Sequence, residues 1–288
     1  MTAPDPKKLL ADVESIARAA GAEILTFYHG TAETYTKADG STVTDADFAA
    51  EAIILPRLAA LTPNIPIVSE EAYEKGIVPD VSKGTFWTVD PLDGTKEFTD
   101  RTGAFVVAIS LIVDGKPVLG VIYHPAFDLM YVGAGPGTGE KVNPDGTREP
   151  LKPSTNLVAA TAPRVLVNAP STDMPLIKGY LTEQFGRAVN IDGTPGVLRA
   201  CQVAENTADA SLIHPVKREG RTKWWDVAPG HAIVEAAGGQ VTTVDGKPVT
   251  YDAPDFQVPP VISVSAQYLA WRSAPAANDP VYDQKKFK

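Results

Sequence analysis

The chain has 288 residues, of which 44% are hydrophobic and 21% charged, and its formal net charge is −9. This length and composition are typical of a globular protein with one large domain or two smaller ones, and they argue against a disordered chain. The acidic balance disfavours binding to a nucleic-acid polymer, which depends on clustered Lys and Arg. Cys201 is the only cysteine and the four histidines show no zinc-binding spacing, so neither an internal disulfide nor a zinc enzyme is expected.

No apolar stretch approaches the roughly 20 residues that a membrane-spanning helix needs. Residues 1–8 also lack the apolar core of a signal peptide. We therefore expect no transmembrane segment and a cytoplasmic location.

The chain begins with two predicted helices. Residues 7–28 place apolar side chains at helical spacing, which predicts an amphipathic helix packed on the core. A second helix is expected after a short polar stretch, with Pro56 disturbing it. Asp45 or Asp47 could have no role beyond capping the N-terminus of this second helix. The apolar positions of the second helix are Phe48, Ala52 and Leu55.

A group of short apolar runs then predicts a sheet. Pro91 cannot extend a sheet ladder, so we expect the strand that precedes it to end at Asp90. The turn Asp114–Pro117 is flanked by two apolar runs and predicts an antiparallel hairpin. The predicted strands are Pro66–Ser69, Phe86–Asp90, Phe105–Val113, Val118–Tyr123 and Met130–Val132.

Residues 133–153 are rich in Gly, Pro and charge and show no clear periodicity, so we place a boundary there and divide the chain into residues 1–150 and 151–288. Beyond it, strand and helix patterns alternate, as expected of a layered α/β unit. The predicted strands are 164–168, 210–213 and 240–244, and the predicted helices are 174–185, 197–204 and 226–237.

The most informative motif is Asp90-Pro-Leu-Asp93-Gly-Thr95, in which an apolar strand delivers two acids to a turn that begins a helix. The backbone amides and the positive end of the helix dipole at such a turn suit a phosphate group. Carboxylates beside a phosphate would repel it unless hard divalent cations lay between them, and oxygen ligands of this kind select Mg²⁺ or Mn²⁺. The motif therefore indicates metal-assisted hydrolysis of a phosphate ester.

Further acids can complete such a site. Glu70 ends a predicted strand, and Asp226 follows two tryptophans and is expected to be the N-cap of the helix 226–237. Two cations roughly 3.5–4 Å apart could lower the pKa of a bound water and stabilise the leaving oxygen. The predicted metal ligands are Glu70, Asp90, the Leu92 carbonyl, Asp93 and Asp226.

These residues resemble the motifs of the inositol monophosphatase-like superfamily of magnesium-dependent, lithium-sensitive phosphatases. The chain supplies its Glu-Glu pair, its Asp-Pro-Leu-Asp-Gly-Thr run and its Trp-Asp-x-Ala-x-Gly motif before Ala-Gly-Gly, in the same order. The resemblance implies a layered αβαβα sandwich with two to three Mg²⁺ ions between its halves, for which Mn²⁺ can substitute. It also implies that Gly94 and Thr95 cradle phosphate and that Asp47 pairs with the Thr95 hydroxyl to activate water, in a catalytic group of Asp47, Glu70 and Thr95.

Within the superfamily, Gly94-Thr-Lys96-Glu-Phe98 looks like the bacterial 3′(2′),5′-bisphosphate nucleotidases, where inositol monophosphatases more usually have Gly-Thr-Thr-Asn-Phe. This likeness implies hydrolysis of the 3′-phosphate of adenosine 3′,5′-bisphosphate to AMP. Lys96 suits a second phosphate, although it could equally be an exposed charge. The segment from Gly193 departs from the nucleotidase pattern.

Gly193 and Thr194 look more like the monophosphatase version of that segment, and Arg199 stands where nucleotidases tend to have lysine. The basic run Lys217–Lys223 could contact a phosphate or could be a solvated loop. An inositol-phosphate or sugar-phosphate phosphatase is the alternative enzyme, and a noncatalytic metal- or nucleotide-binding regulator is the alternative of another class. The expected partner is a small phosphorylated substrate, and a homodimer is left open.

Overall fold

The computed structural model describes residues 4–37, 40–153, 162–167, 174–213 and 222–273. The helices are α1 (Pro6–His29), α2 (Asp45–Leu61), α3 (Glu70–Glu74), α4 (Thr95–Thr99), α5 (Met174–Phe185), α6 (Leu198–Ala204), α7 (Trp224–Ala236) and α8 (Ala266–Ser273). The strands of the first half are β1 (Thr34–Thr36), β2 (Thr42–Thr44), β3 (Ile67–Ser69), β4 (Phe86–Asp93), β5 (Val106–Val113), β6 (Lys116–His124), β7 (Leu129–Gly133), β8 (Glu140–Val142) and β9 (Arg148–Pro150). Those of the second half are β10 (Arg164–Val167), β11 (Asn190–Gly193), β12 (Ala210–Ile213), β13 (Gln240–Thr243) and β14 (Val261–Val264).

Two large sheets organise these elements into five layers. A seven-stranded sheet has the order β3-β4-β5-β6-β7-β8-β9, and a five-stranded sheet has the order β11-β10-β12-β14-β13. Helices α1 and α2 cover the outer face of the first sheet, α6 and α7 lie between the sheets, and α5 and α8 cover the outer face of the second. The expected αβαβα sandwich is confirmed.

Strand β5 shows why the first sheet can be covered on both faces. Val107, Ile109 and Leu111 face the core beneath α1 and α2, whereas Val106 and Ala108 face the core beneath α6 and α7. Because successive side chains of a strand point to opposite faces, an uninterrupted apolar run supplies both cores.

Pro56 lies inside α2, which continues through it to Leu61. Pro56 and Ala52 are exposed, so water can satisfy the Ala52 carbonyl that loses its helical hydrogen bond. The buried apolar side of α2 is not the expected one. It consists of Ala46, Ala50, Ile54 and Leu58.

The sheet prediction needs two corrections. Strand β4 extends to Asp93, but its register with β5 shifts between Asp90 and Asp93, so Pro91 lies where no regular ladder is required. The β5–β6 hairpin turns on two residues, Asp114 and Gly115, both with positive φ, and not on four.

Residues 133–153 show no clear periodicity in the sequence, and β8 and β9 extend the first sheet there. These strands have three residues each, and β9 is fully exposed, so they carry no apolar alternation that a sequence pattern could reveal. The division at residue 150 stays a prediction. The first sheet ends at Pro150, but α6 and α7 of the second half pack into its inner face.

The other predicted elements of the second half are confirmed within one or two residues, although Asn168 lies outside the described residues. The patterns missed β1, β2, α3, β11, β14 and α8. In the part of the chain that the structure describes, no helix combines the length and the apolar character needed to cross a membrane.

Candidate active site

The end of β4 forms the base of the site. Asp90 is buried, and its Oδ1 accepts a hydrogen bond from the Leu92 backbone N–H at 3.0 Å. The register shift with β5 releases the backbone between Asp90 and Asp93 from the ladder, so both acids stand at one strand end. The sequence motif is therefore a strand end with a tight turn, as predicted.

Gly94 makes the next turn. Its φ of 95° lies in the left-handed region, and a Cβ at this position would lie 2.8 Å from the Ala104 carbonyl oxygen. Helix α4 begins at Thr95 as predicted, but it has only five residues. A helix this short has few aligned peptide dipoles, so its dipole is weak, and the predicted phosphate site at this turn depends mainly on the backbone amide groups.

Asp47 and Thr95 are in contact, as the resemblance implied. Thr95 Oγ1 donates to Asp47 Oδ1 at 3.1 Å and lies 3.4 Å from the Leu92 carbonyl oxygen. The second carboxylate oxygen of Asp47 accepts from the Thr44 backbone N–H at 2.8 Å and from its hydroxyl at 2.7 Å. The N-cap of α2 is therefore Thr44, and Asp47 completes a capping box at the third helical position.

Burial raises the pKa of Asp47 to about 6, although the hydrogen bonds from Thr44 act against it. At neutral pH the carboxylate is mostly ionised. Asp47 can therefore accept a proton, and the one nearest to it belongs to the Thr95 hydroxyl.

The Glu70–Glu71 pair already holds a cation supplied by the chain. Lys37 Nζ lies 2.7 Å from Glu70 Oε1 and 2.7 Å from Glu71 Oε1, and the lysine side chain is 7% exposed. Burial alone would lower the pKa of Lys37, but the two carboxylates outweigh that effect and raise it, so the ammonium is charged. Burial and the charge of Glu70 raise the pKa of Glu71 to about 7, against the opposing effect of Lys37.

The second half of the chain meets the end of β4 at Asp93. The Val197 backbone N–H donates to Asp93 Oδ2 at 2.7 Å. Gly196 has a φ of 52°, and a Cβ on it would overlap the Asp93 carboxylate. Glycine is therefore required where the loop before α6 closes on this acid.

Asp226 is not the N-cap that the sequence predicted, because α7 begins two residues earlier and Lys223 is its N-cap. Asp226 occupies the third helical position, and its Oδ2 accepts the Lys223 backbone N–H at 2.7 Å. The Lys223 ammonium bonds the Tyr73 hydroxyl at 3.2 Å and the Asp255 carbonyl at 2.8 Å. This contact joins the start of α7 to α3, which carries Glu70.

The acids from both halves influence one another. Desolvation, then the charge of Glu70, raises the pKa of Asp90 and of Asp226 well above the usual range, and Asp93 adds to both effects. Desolvation also raises the pKa of Asp93 to about 6, although the Val197 amide and the charge of Arg199 oppose it. Such mutual destabilisation of the ionised forms favours a cation between the acids.

The donor set fits a hard divalent cation. Glu70, Asp90, Asp93 and Asp226 offer carboxylate oxygens, and the lysine ammonium on Glu70 shows that this acid accepts a positive charge. Within the described ranges, however, no three acidic, histidine or cysteine side chains are already arranged around one metal position. In this arrangement Glu70 is paired with Lys37.

Arg199 also lies near the acids, and it contacts the backbone of Thr194. Arg199 is 5% exposed, donates to the Thr194 carbonyl at 2.8 Å, and interacts electrostatically with Asp93 and Asp226. Desolvation lowers its pKa to about 10, so it stays charged at neutral pH. It is a buried positive charge near Asp93 and Asp226.

Two other predicted substrate residues, Lys96 and Gly193, have no described contact with these acids. Lys96 is exposed and pairs with Asp100 on the surface of α4. Gly193 is exposed at the end of β11. Of the basic run, residues 217–221 lie outside the described residues. Lys96 and Gly193 stay predictions.

Sequence reasoning missed the contributions of Lys37, Tyr73, Gly196 and Val197. Lys37 lies in a polar stretch with no periodicity, and the Val197 contact uses a backbone N–H, which no side-chain pattern reveals. Gly196 carried one usable signal, a glycine just before a predicted helix.

The chain belongs to the inositol monophosphatase family, whose model matches residues 5–276. A protein of Escherichia coli strain K12 named 3′(2′),5′-bisphosphate nucleotidase CysQ is 38% identical to this chain over 260 residues, which are 89% of this chain and 99% of that protein. A protein of the same name from Buchnera aphidicola is 39% identical over 248 residues, or 85% and 88% of the two chains.

Solved structures agree with this family. CysQ from Bacteroides thetaiotaomicron, described as a bacterial member of the inositol monophosphatase family, superposes with a TM-score of 0.67 at 29% identity and covers 89% of this chain and 96% of that one. The suhB protein of Bartonella henselae, with a TM-score of 0.70 at 22% identity over 92% and 98% of the chains, shares the fold. Membership of this family implies a metal-dependent phosphatase, generally one that uses Mg²⁺.

Proposed function

We propose that this protein is a 3′(2′),5′-bisphosphate nucleotidase that hydrolyses the 3′-phosphate of adenosine 3′,5′-bisphosphate to give AMP and phosphate. The observation that carries the proposal is the Asp47–Thr95 hydrogen bond beside three buried acids, Asp90, Asp93 and Asp226, whose pKa values are raised by burial and by the charge of Glu70. The substrate rests on the nucleotidase relatives, which match most of this chain.

Glu70, Asp90, the Leu92 carbonyl, Asp93 and Asp226 would hold two to three Mg²⁺ ions, with Mn²⁺ able to substitute. Bound there, such ions lower the pKa of a water and stabilise the leaving ester oxygen. The proposal for these ligands is supported by their oxygen-only chemistry and by the lysine ammonium already held on Glu70.

The chain's own residues would move the proton. Thr95 donates its hydroxyl hydrogen to Asp47, so the lone pairs of the hydroxyl oxygen can accept a proton from the attacking water. Asp47 takes the hydroxyl proton as the water gives up its own. The oxygen of that water bonds to phosphorus and the ester P–O bond breaks. The 3′-oxygen leaves as an alkoxide and takes a proton from solvent water, and Asp47 later returns its proton to solvent, so no phosphorylated side chain forms.

Gly94 and Thr95 would cradle the reacting phosphate, while Lys96, Gly193, Thr194 and Arg199 would contact the rest of the substrate. Arg199 is the best supported of these, because its charge faces Asp93 and Asp226. A charge-assisted bond is worth about 1.5–3 kcal/mol, so Arg199→Ala should raise KM for the bisphosphate about tenfold and leave a monophosphate substrate nearly unaffected. An equal rise in KM for both substrates would instead show that Arg199 has a structural role.

The test is phosphate release from a panel of bisphosphate nucleotides, inositol phosphates and sugar phosphates. We expect the highest kcat/KM on adenosine 3′,5′-bisphosphate, loss of activity in chelator, recovery on adding Mg²⁺ or Mn²⁺, and inhibition by lithium. Full turnover in excess chelator would contradict the metal dependence. A preference for inositol 1-phosphate would favour the second candidate, an inositol monophosphatase, which the Gly193-Thr194 pair supports. The cytoplasmic location and a homodimer stay predictions.

A further inference from the structure

Helix α2 buries a second acid one turn after Asp47. Glu51 is 8% exposed and Asp47 is 2% exposed, and residues four apart lie on the same face of a helix. The water-activating pair uses Asp47 but leaves Glu51 without a role. A buried carboxylate is costly unless it is hydrogen-bonded or paired, so its partners show what it does.

Those partners all belong to the segment that carries Glu70 and Glu71. Glu51 Oε1 accepts a short hydrogen bond from the Ser69 hydroxyl and another from the Ala72 backbone N–H at 3.0 Å. Glu51 Oε2 lies 3.7 Å from Lys75 Nζ, just beyond the end of α3. Glu51 therefore contacts this segment before, within and after α3.

Glu51 supplies the N-terminal capping hydrogen bond that the Ser69 side chain does not make for α3. Ser69 is the N-cap of α3, but its side chain makes no capping hydrogen bond. Its hydroxyl is turned to Glu51, and Glu51 accepts the Ala72 amide that a capping side chain would normally accept. A helix of five residues has little stability of its own, so this external carboxylate fixes where α3 begins.

We propose that Glu51 is a positioning residue for the cation site, which holds the backbone of Glu70 and Glu71 at the angle needed for ligation. The proposal rests on the assignment of Glu70 as a metal ligand under the proposed function. Helix α2 then contacts two separate segments of the site. Its Asp47 bonds Thr95, which follows β4. Its Glu51 bonds Ser69 at the end of β3 and Ala72 in α3.

The two hydrogen bonds to Glu51 Oε1 depend on the length of the side chain and on an acceptor oxygen, and not on its negative charge. Glutamine keeps an oxygen at the same distance from the backbone and can accept both hydrogen bonds. Aspartate keeps the charge but is one methylene shorter. Alanine removes the acceptor. These three substitutions separate positioning of Glu70 from a general electrostatic effect.

The experiment is a calorimetric titration of the metal-free full chain with Mn²⁺ alone, well below the melting temperature, with melting curves recorded in parallel. We expect Glu51→Ala to weaken Mn²⁺ binding about 10–100-fold, as loss of an outer hydrogen bond to a ligand usually does. Glu51→Gln should bind nearly as tightly as the unsubstituted chain, and Glu51→Asp should bind clearly more weakly than Glu51→Gln.

Ile54→Val is the matched control, because Ile54 is a fully buried residue of the same helix in the core cluster beneath the first sheet. It should lower the melting temperature but leave Mn²⁺ affinity unchanged. The proposal is overturned if Glu51→Ala melts lower yet binds Mn²⁺ normally. It is equally overturned if Glu51→Asp binds normally while Glu51→Gln does not. If Glu51→Ala does not fold, the Gln and Asp variants decide. Absence of Mn²⁺ binding by the unsubstituted chain would instead contradict the proposed function.

Discussion

Asp47 and Asp226 stand at the starts of α2 and α7, in the two halves of the chain, and share one local motif. Each is the third residue of its helix, and each accepts the backbone N–H of its N-cap residue. The other oxygen of Asp47 is bonded to Thr95. Asp226 has no such hydroxyl contact in the hydrogen bonds described for it, and its Oδ2 accepts the Lys223 amide. The same capping motif therefore places one acid against a hydroxyl and the other where we propose that it binds a cation.

The largest expected effect comes from the acids that we propose as metal ligands. Asp93→Asn and Asp226→Asn should each lower kcat by several orders of magnitude, because they remove ligand charge at almost unchanged volume. Their metal-free melting temperatures should stay level or rise, since repulsion among the acids is relieved. Asp252→Asn, on the surface, is the control for an acid outside the site. Ordinary turnover in either variant would remove that acid from the site.

Because Asp47 is bonded to Thr95, substitutions in this pair should give a different result from those at Asp93 and Asp226. Thr95→Ala should keep cation binding but lower kcat by about 10²–10⁴-fold, the usual contribution of a general base. Asp47→Asn should cost a similar factor, and the double variant little more than either single one, because the two act as a unit. Losses that multiply would show independent roles and leave Asp47 as a helix cap only.

A glycine tests whether the second half positions Asp93. Gly196→Ala would push a Cβ into the Asp93 carboxylate, so we expect kcat to fall by about 10²-fold through misplacement of this ligand. Gly179→Ala is the matched control, since nothing lies near that position in α5 and alanine should stabilise the helix by up to about 1 kcal/mol. Equal kcat in the two variants would mean that the loop before α6 does not hold Asp93.

The smallest expected effect is on stability as a function of pH. The folded-state pKa is raised to about 6 for Asp47 and to about 7 for Glu71, so the folded protein binds their protons more tightly than the unfolded chain does. This stabilisation is complete below the ordinary carboxyl pKa and is lost as the pH rises through about 6 and 7.

We therefore expect the metal-free protein to melt at a higher temperature near pH 5 than near pH 8. Saturating Mg²⁺ should reduce or reverse that difference, because a cation favours the charged acids. Scanning calorimetry at both pH values, with chelator and with Mg²⁺, measures this. A metal-free melting temperature that rises from pH 5 to pH 8 would contradict it.

The sequence predicted the elements whose patterns are local. Helix α1, the β5–β6 hairpin and the turn at Gly94 follow from periodicity or from residues with special backbone preferences, and so did the positions of Asp90 and Asp93 at a strand end. Asp47 and Asp226 were recognised as residues of helix starts, but the wrong capping position was assigned to Asp226. The capping hydrogen bond itself depends on where α7 begins, and that start is set by packing of Trp224 in the core.

What the sequence could not predict was contact between distant segments. The Val197 amide on Asp93, the Glu51 carboxylate on Ala72 and the Lys37 ammonium on Glu70 each join residues that no periodicity relates. Strands β8 and β9 were missed for a related reason, since β8 pairs with β7 and β9 pairs with β8 at the end of the sheet. The sequence patterns identified the chemistry of the site, whereas the contacts that hold its acids in place are visible only in the tertiary structure.

Lys37 gives the acidic cleft a counter-charge from within the same polypeptide. Its ammonium reaches both Glu70 and Glu71, so two neighbouring negative charges are held side by side by an ion pair formed within one chain. The fold therefore balances part of the acidic charge of this cleft with a basic residue of its own.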